Sequence, residues 1–152
     1  MLQPEISMAD ERAAARLCRG VRRLLWTLGY ASLPEFPLAN GRRADVFGVT
    51  GGSEIAIVEI KSSIADFRAD SKWTEYRGFC DAFFFAVDDT FPTELIPEAC
   101  GLIVADAFAA EIVRGSPIER LAGARRKSLV AAFGQLAAGR LHRIEDPMLG
   151  IG

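Results

Sequence analysis

The stretch RRADVFGVTGGSEIAIVEIKSS, from Arg42 to Ser63, restricts what this chain can fold into more than any other. Two runs rich in apolar residues, Ala44–Val49 and Glu54–Ser62, flank Gly51-Gly52 and read as the strands of a hairpin. Side chains alternate across a strand. Ile55, Ile57, Glu59 and Lys61 therefore share one row, and Asp45, Phe47 and Val49 share another. Both rows are apolar near the turn and charged at the far end. Register decides whether the charges meet, because a one-residue slip flips every side chain. A two-residue turn sets Asp45 opposite Val58 and puts Glu59 on the other face. A three-residue loop, Gly51-Gly52-Ser53, sets Val49 opposite Ile55, Phe47 opposite Ile57, Asp45 opposite Glu59 and Arg43 opposite Lys61. This register also gathers the large apolar residues on one face, so it is the one expected. Glycine would supply the left-handed residue that such a loop uses.

The remaining elements follow from periodicity and punctuation. A helix is expected over about Ser7–Leu28, capped by Ser7 or Asp10 and stopped by Gly29. Leu17, Val21, Leu24, Leu25 and Leu28 form its apolar face, and Arg12, Arg16, Arg19 and Arg23 form a separate stripe. Residues 31–38 read as a strand made irregular by Pro34 and Pro37. The polar segment SSIADFRADSKWTEYRGF reads as a loop and a short helix, with Asp70 a cap. On that helix Lys72 and Tyr76 share a face, as do Trp73 and Arg77. The segment either faces DNA or holds Trp73 in the core with its charges solvated. Asp81–Val87, DAFFFAV, is a strand buried on both faces. Gly101–Ala105 and Glu111–Arg114 read as two more strands, and Pro117–Leu141 as a terminal helix. This order of elements predicts an α/β protein, one mixed central sheet flanked by helices, in a single domain over residues 1–152.

Charge and cysteine usage exclude several classes. The net charge of −2 argues against a protein that simply coats nucleic acid. Cys18, Cys80 and Cys100 are scattered and His142 is the lone histidine, which excludes an ordinary zinc site. The cysteines read as reduced thiols of a cytoplasmic protein. The N-terminal residues show no signal-peptide pattern and no apolar run is long enough to cross a bilayer, so no membrane association is expected.

The chemistry of the charged row is specific. Mg2+ or Mn2+ takes oxygen ligands, usually one or two carboxylates with waters and substrate phosphate. Asp45 and Glu59 would supply the carboxylates. Lys61 would position a water or stabilise charge developing on a phosphate. The ordinary alternative is a cross-strand ion pair, common wherever an acid and a lysine lie two apart.

An Asp on one hairpin strand and an ExK ending the next resembles the PD-(D/E)xK nuclease superfamily, with Ala44 where its signature often has proline. The longer pattern of GRRADVFGV, IVEIKSSIADFRADSKWTEY, CDAFFFAV and GLIVADAFAAEIV resembles the MmcB-like family of bacterial DNA repair proteins, over roughly Glu35 to Val113. The resemblance implies a restriction-endonuclease-like core and a role in DNA repair. It implies catalytic positions at Asp45, Glu59 and Lys61, and an additional acid, Glu35 or Glu11, with Glu35 preferred. Arg43, Lys72, Arg125 and Arg126 are the expected DNA contacts, with the arginine stripe of the first helix as a further surface; for either basic helix taken alone, a plain solvated face is the alternative. The expected activity is metal-dependent hydrolysis of DNA phosphodiesters. The alternative is a non-cleaving DNA-binding accessory factor with a repair polymerase or other repair protein as partner. Oligomeric state is left open.

Overall fold

A computed structural model describes residues 7–70 and 72–150. Helix α1 spans Met8–Thr27, followed by β1 Tyr30–Pro37, β2 Arg43–Thr50 and β3 Ile55–Ile60. Next come α2 Ile64–Ala69, a 3-10 helix Trp73–Phe79, β4 Ala82–Val87, a 3-10 turn Thr93–Leu95, β5 Gly101–Ala105, β6 Ala110–Arg114 and α3 Gly123–Glu145. The six strands form one sheet in sequence order. β1, β2 and β3 pair antiparallel, β3, β4 and β5 run parallel, and β6 returns antiparallel. The expected mixed sheet flanked by helices is present.

The hairpin loop has the expected odd length. Val49 pairs with Ile55 and Phe47 with Ile57. The Thr50 amide donates to Glu54 O at 2.9 Å, closing a three-residue loop. The left-handed residue is Ser53, at φ 66°, and not a glycine. Apolar side chains fill both faces of the sheet, not one. Phe36, Phe47, Ile57 and Phe85 form one core, against which Leu129 and Phe133 of α3 and Phe67 of α2 pack. Val46, Val58, Phe84 and Ile103 form the other, under Leu17, Val21 and Leu25 of α1. A sheet sandwiched in this way explains why β3 and β4 are buried at every position.

Asp70 is a cap as expected, at the C-terminal end of α2, and the bounds of the terminal helix are corrected. The N-cap of α2 is Ser63, whose hydroxyl accepts the Asp66 amide at 3.0 Å, while Asp70 ends the helix. The terminal helix begins at Gly123 and runs to Glu145, not from Pro117 to Leu141. Residues 117–121 are held beside the start of β4 instead, where the Glu119 amide donates to Asp81 O and the Leu121 amide to Asp81 Oδ1. At the far edge, Leu102 pairs with Arg114 but Ile103 with Ile112, so the ladder skips Val113 and β6 carries a bulge.

α1 approaches the turn between β5 and β6 at Gly20. A Cβ there would stand 2.0 Å from Asp106 O and 2.7 Å from Ala109 O. Both are main-chain atoms, so relief requires moving the helix or the turn. Gly20→Ala is therefore expected to destabilise the fold by about 1–3 kcal/mol, read from the urea midpoint. A turn that yielded freely would give the reverse, a gain of up to ~1 kcal/mol from alanine's helix propensity.

Candidate carboxylate and lysine site

The β2–β3 ladder continues to Val46–Val58. Beyond it, side chains take over from main-chain pairing. Glu59 Oε1 accepts the Asp45 amide at 2.9 Å, and Asp45 Oδ2 accepts the Ile60 amide at 2.8 Å. Each carboxylate thus satisfies a main-chain donor on the opposite strand. Glu59 is buried at 3% exposure. Burial, then the neighbouring Asp45 charge, pushes the Glu59 carboxyl up to about 9. Burial also raises Asp45. Metal-free, the pair is therefore biased toward keeping a proton on Glu59 near neutral pH, because a buried carboxyl beside a half-buried one resists ionising.

β1 bends beside this pair. Pro34 lies opposite Val46 and Phe36 opposite Ala44, so Glu35 stands opposite Asp45. Ala44 and Phe47 belong to one core and Val46 to the other, so strict alternation slips by one at Asp45. Glu35 accommodates the slip with φ 51°. Arg140 of α3 braces the bend, donating to Pro34 O at 2.7 Å and Glu35 O at 2.9 Å. The Glu35 carboxylate is exposed and lies 4.0 Å from the exposed Arg43 guanidinium. Glu11, the alternative acid, is exposed in the first turn of α1. A non-glycine residue in the left-handed region costs roughly 1–2 kcal/mol. Glu35→Gly is accordingly expected to raise stability by about 1 kcal/mol in a urea titration. A loss would mean that the side chain itself holds the bend.

Lys61 follows two residues after Glu59. Its ammonium meets Asp70 Oδ2 at 2.8 Å, with the two side chains 7% and 14% exposed. Burial opposes the ammonium, but the hydrogen bond and charge of Asp70 outweigh it and move the amine above its ordinary range. Asp70 shifts downward: burial opposes its charge and Lys61 more than compensates. Tyr76 is buried nearby, stacked on Phe83. Burial and then the Glu59, Asp45 and Asp70 charges raise its phenol. Asp70 and Tyr76 were not among the expected site residues.

The expected DNA contacts separate into two groups. Arg43 and Lys72 are exposed near the carboxylate and lysine cluster, and the Lys72 amide donates to Asp70 Oδ1 at 3.1 Å. Arg125 and Arg126 have partners within the chain. Arg125 donates to Gly78 O at 2.9 Å and covers the Phe79 ring. Arg126 forks onto both Asp81 oxygens at 2.7 Å and also reaches Ser53 O. Trp73 packs half-buried against Phe83, the core reading of the two considered. In the α1 stripe, Arg23 donates to Phe108 O and Arg19 lies over the Phe108 ring. Among the described residues, no three His, Cys, Asp or Glu side chains converge as a ready-made metal cage. No described helix is long and apolar enough to cross a membrane.

These features define an α/β protein whose central hairpin ends in a pair of acids, Glu59 buried and Asp45 half-buried, with an ion-paired lysine beside them. The chain belongs to the MmcB-like DNA repair protein family, whose model matches residues 2–148. It is similar to a solved structure, the SPO1766 protein of unknown function from Silicibacter pomeroyi, at 47% identity. That match covers 97% of this chain and 95% of the other, with a TM-score of 0.87. No curated protein matches the chain.

Proposed function

We propose that this DNA repair protein is a metal-dependent endonuclease with a restriction-endonuclease-like core of the PD-(D/E)xK type. The observation that carries this reading is the fork at the end of the hairpin, where Asp45 and Glu59 replace ladder hydrogen bonds with carboxylates. Burying Glu59 beside a half-buried Asp45 is unfavourable unless something positive offsets them. A proton kept on Glu59 offsets them in part, and a divalent cation would do so more fully.

The donor set fits such an ion. Each carboxylate uses one oxygen on an amide, which leaves Asp45 Oδ1 and Glu59 Oε2. Two carboxylates suffice for Mg2+ or Mn2+, which keep waters and take substrate phosphate for the rest. Glu35 stands opposite Asp45 on the backbone, but its carboxylate is exposed beside Arg43 and does not converge with the other two, so the ion would rest on Asp45 and Glu59. The bound ion would lower the pKa of a coordinated water and neutralise charge on the phosphate. Lys61, kept protonated by Asp70, acts as a fixed positive charge and hydrogen-bond donor to the phosphate or the attacking water. A lysine with a raised pKa is a poor general base, so that role does not fall to Lys61. Arg43 and Lys72 would contact the flanking DNA backbone, as phosphate contacts that position without reading sequence.

The test is cleavage of single-stranded, nicked, flapped and branched DNA with Mg2+, with Mn2+ and with chelator. Metal-dependent cleavage that disappears in Asp45→Ala is expected. DNA affinity without cleavage of any substrate would overturn the nuclease reading and favour the accessory factor.

A further inference from the structure

The Lys61–Asp70 pair is an odd use of two charges if stability were its purpose. Both side chains are nearly buried. A buried ion pair is often no better for stability than apolar residues of similar volume. Yet several contacts hold Asp70 in place. α2 is anchored by the Ser63 cap and by Phe67, whose ring meets Phe85 and Phe91 edge-on at 5.4 and 6.0 Å. Asp66 Oδ2 accepts the Ser62 amide at 3.2 Å, fixing the start of the segment to the end of β3. Asp70 then uses Oδ1 on the Lys72 amide and Oδ2 on the Lys61 ammonium. The carboxylate is oriented through both oxygens. Lys61 Nζ has three N–H groups, and among the described residues Asp70 is the acceptor for one. Two remain for a phosphate oxygen or a water.

We propose that Asp70 is the positioning residue of Lys61, holding its ammonium in one place at the end of the strand that carries Glu59 while leaving two N–H groups for substrate. This rests on the reading of Asp45, Glu59 and Lys61 as the reacting site. A long lysine side chain has many rotamers, and ordering it is costly. An anchor made before substrate arrives removes that cost from the reaction. It also separates two roles: Asp70 contacts no reacting atom and acts only through Lys61.

The experiment pairs kinetics with a spectroscopic readout that needs no activity. In 15N-edited spectra near neutral pH, a buried hydrogen-bonded ammonium exchanges slowly enough to be seen, and a solvated one does not. The wild type is expected to show the Lys61 ammonium signal, and Asp70→Asn to lose it with the fold intact. With cleavable DNA, Asp70→Asn should lower kcat by about 10- to 100-fold with KM little changed, the signature of a misplaced group. Asp70→Glu, which keeps the charge but shifts it by a methylene, should recover part of the loss. It also serves as the folded variant if Asp70→Asn does not fold.

A rate increase in Asp70→Asn would overturn the proposal by showing that Asp70 blocks Lys61. An unchanged kcat, or absence of the ammonium signal from the wild type, would overturn it too. If the wild type cleaves nothing, a signal lost in Asp70→Asn still establishes the hold on Lys61, and only the nuclease reading fails.

Discussion

Purified Glu59→Gln protein is expected to keep its fold and lose its cleavage, by a factor on the order of a thousand. Glutamine can still accept the Asp45 amide through its oxygen. Its NH2 group stands in for the proton that Glu59 keeps. The substitution therefore imitates the protonated state that metal-free Glu59 adopts near neutral pH. The carboxylate that a divalent ion would use is gone.

The same substitution makes a signed prediction about pH. Glu59 has an ordinary value of 4.5 and is held at about 9 in the folded chain. Between those values the folded state keeps a proton that the unfolded state releases. Stability of the metal-free wild type should consequently fall as pH rises from about 5 to about 9. Glu59→Gln should lack that slope, so the two proteins should match near pH 5 and separate by pH 8. Urea unfolding in chelator across this range measures it. Parallel curves would mean that Glu59 is ionised, and full cleavage in the variant would remove Glu59 from the chemistry.

Asp81→Ala is expected to give the largest loss of stability, about 2–4 kcal/mol, chiefly from the two amides it leaves unsatisfied, a large part of the 5–15 kcal/mol typical of a folded domain. Asp81 accepts the Arg126 fork, the Ile55 amide at 2.8 Å and the Leu121 amide at 3.0 Å. Alanine would leave the two amides without their acceptor and the partly exposed Arg126 guanidinium with main-chain oxygens such as Ser53 O. The cluster also has an acid limit. Burial works against the Asp81 charge, but Arg126 and the two amides outweigh it and lower the carboxyl from 3.8 to about 2. Its stabilisation is complete above pH 4 and should disappear as pH falls toward 2. An Asp81→Ala protein with near wild-type urea midpoints would show that the two amides and Arg126 find water at no cost.

The hairpin was legible because its register follows from parity. The count of residues in the loop and the positions of Phe47, Val49, Ile55 and Ile57 fix the register from the Val49–Ile55 pair to the Val46–Val58 pair. They do not fix the slip at Asp45, where side-chain bonds replace the expected Asp45–Glu59 ladder pair and Arg43 does not meet Lys61. The left-handed residue was less legible, since Gly51 and Gly52 draw attention that Ser53 does not. Partners set by tertiary paths had no local signal. Lys61 and Asp70 are nine residues apart with a helix between them, and that helix directs Asp70 back toward the sheet. Asp81 reads as the first residue of an apolar strand, while its partners lie up to 45 positions away. Arg126 shows the converse: an arginine in a basic run looks solvated or phosphate-seeking until a buried acid is found beneath it.

The bulge in β6 has a consequence for how this protein behaves when crowded. A sheet with a straight, flat margin offers a template on which another chain can add a strand, the first step toward aggregation. β6 exposes Ile112 and Val113 at that margin, at 37% and 57%, the kind of apolar edge that invites such growth. The skipped residue twists the margin and breaks its hydrogen-bonding rhythm. At the opposite margin, Pro34 and Pro37 lack the amides that an added strand would need. The two open margins of the sheet thus resist templated growth by different means, so the molecule can expose apolar side chains there without seeding its own fibre.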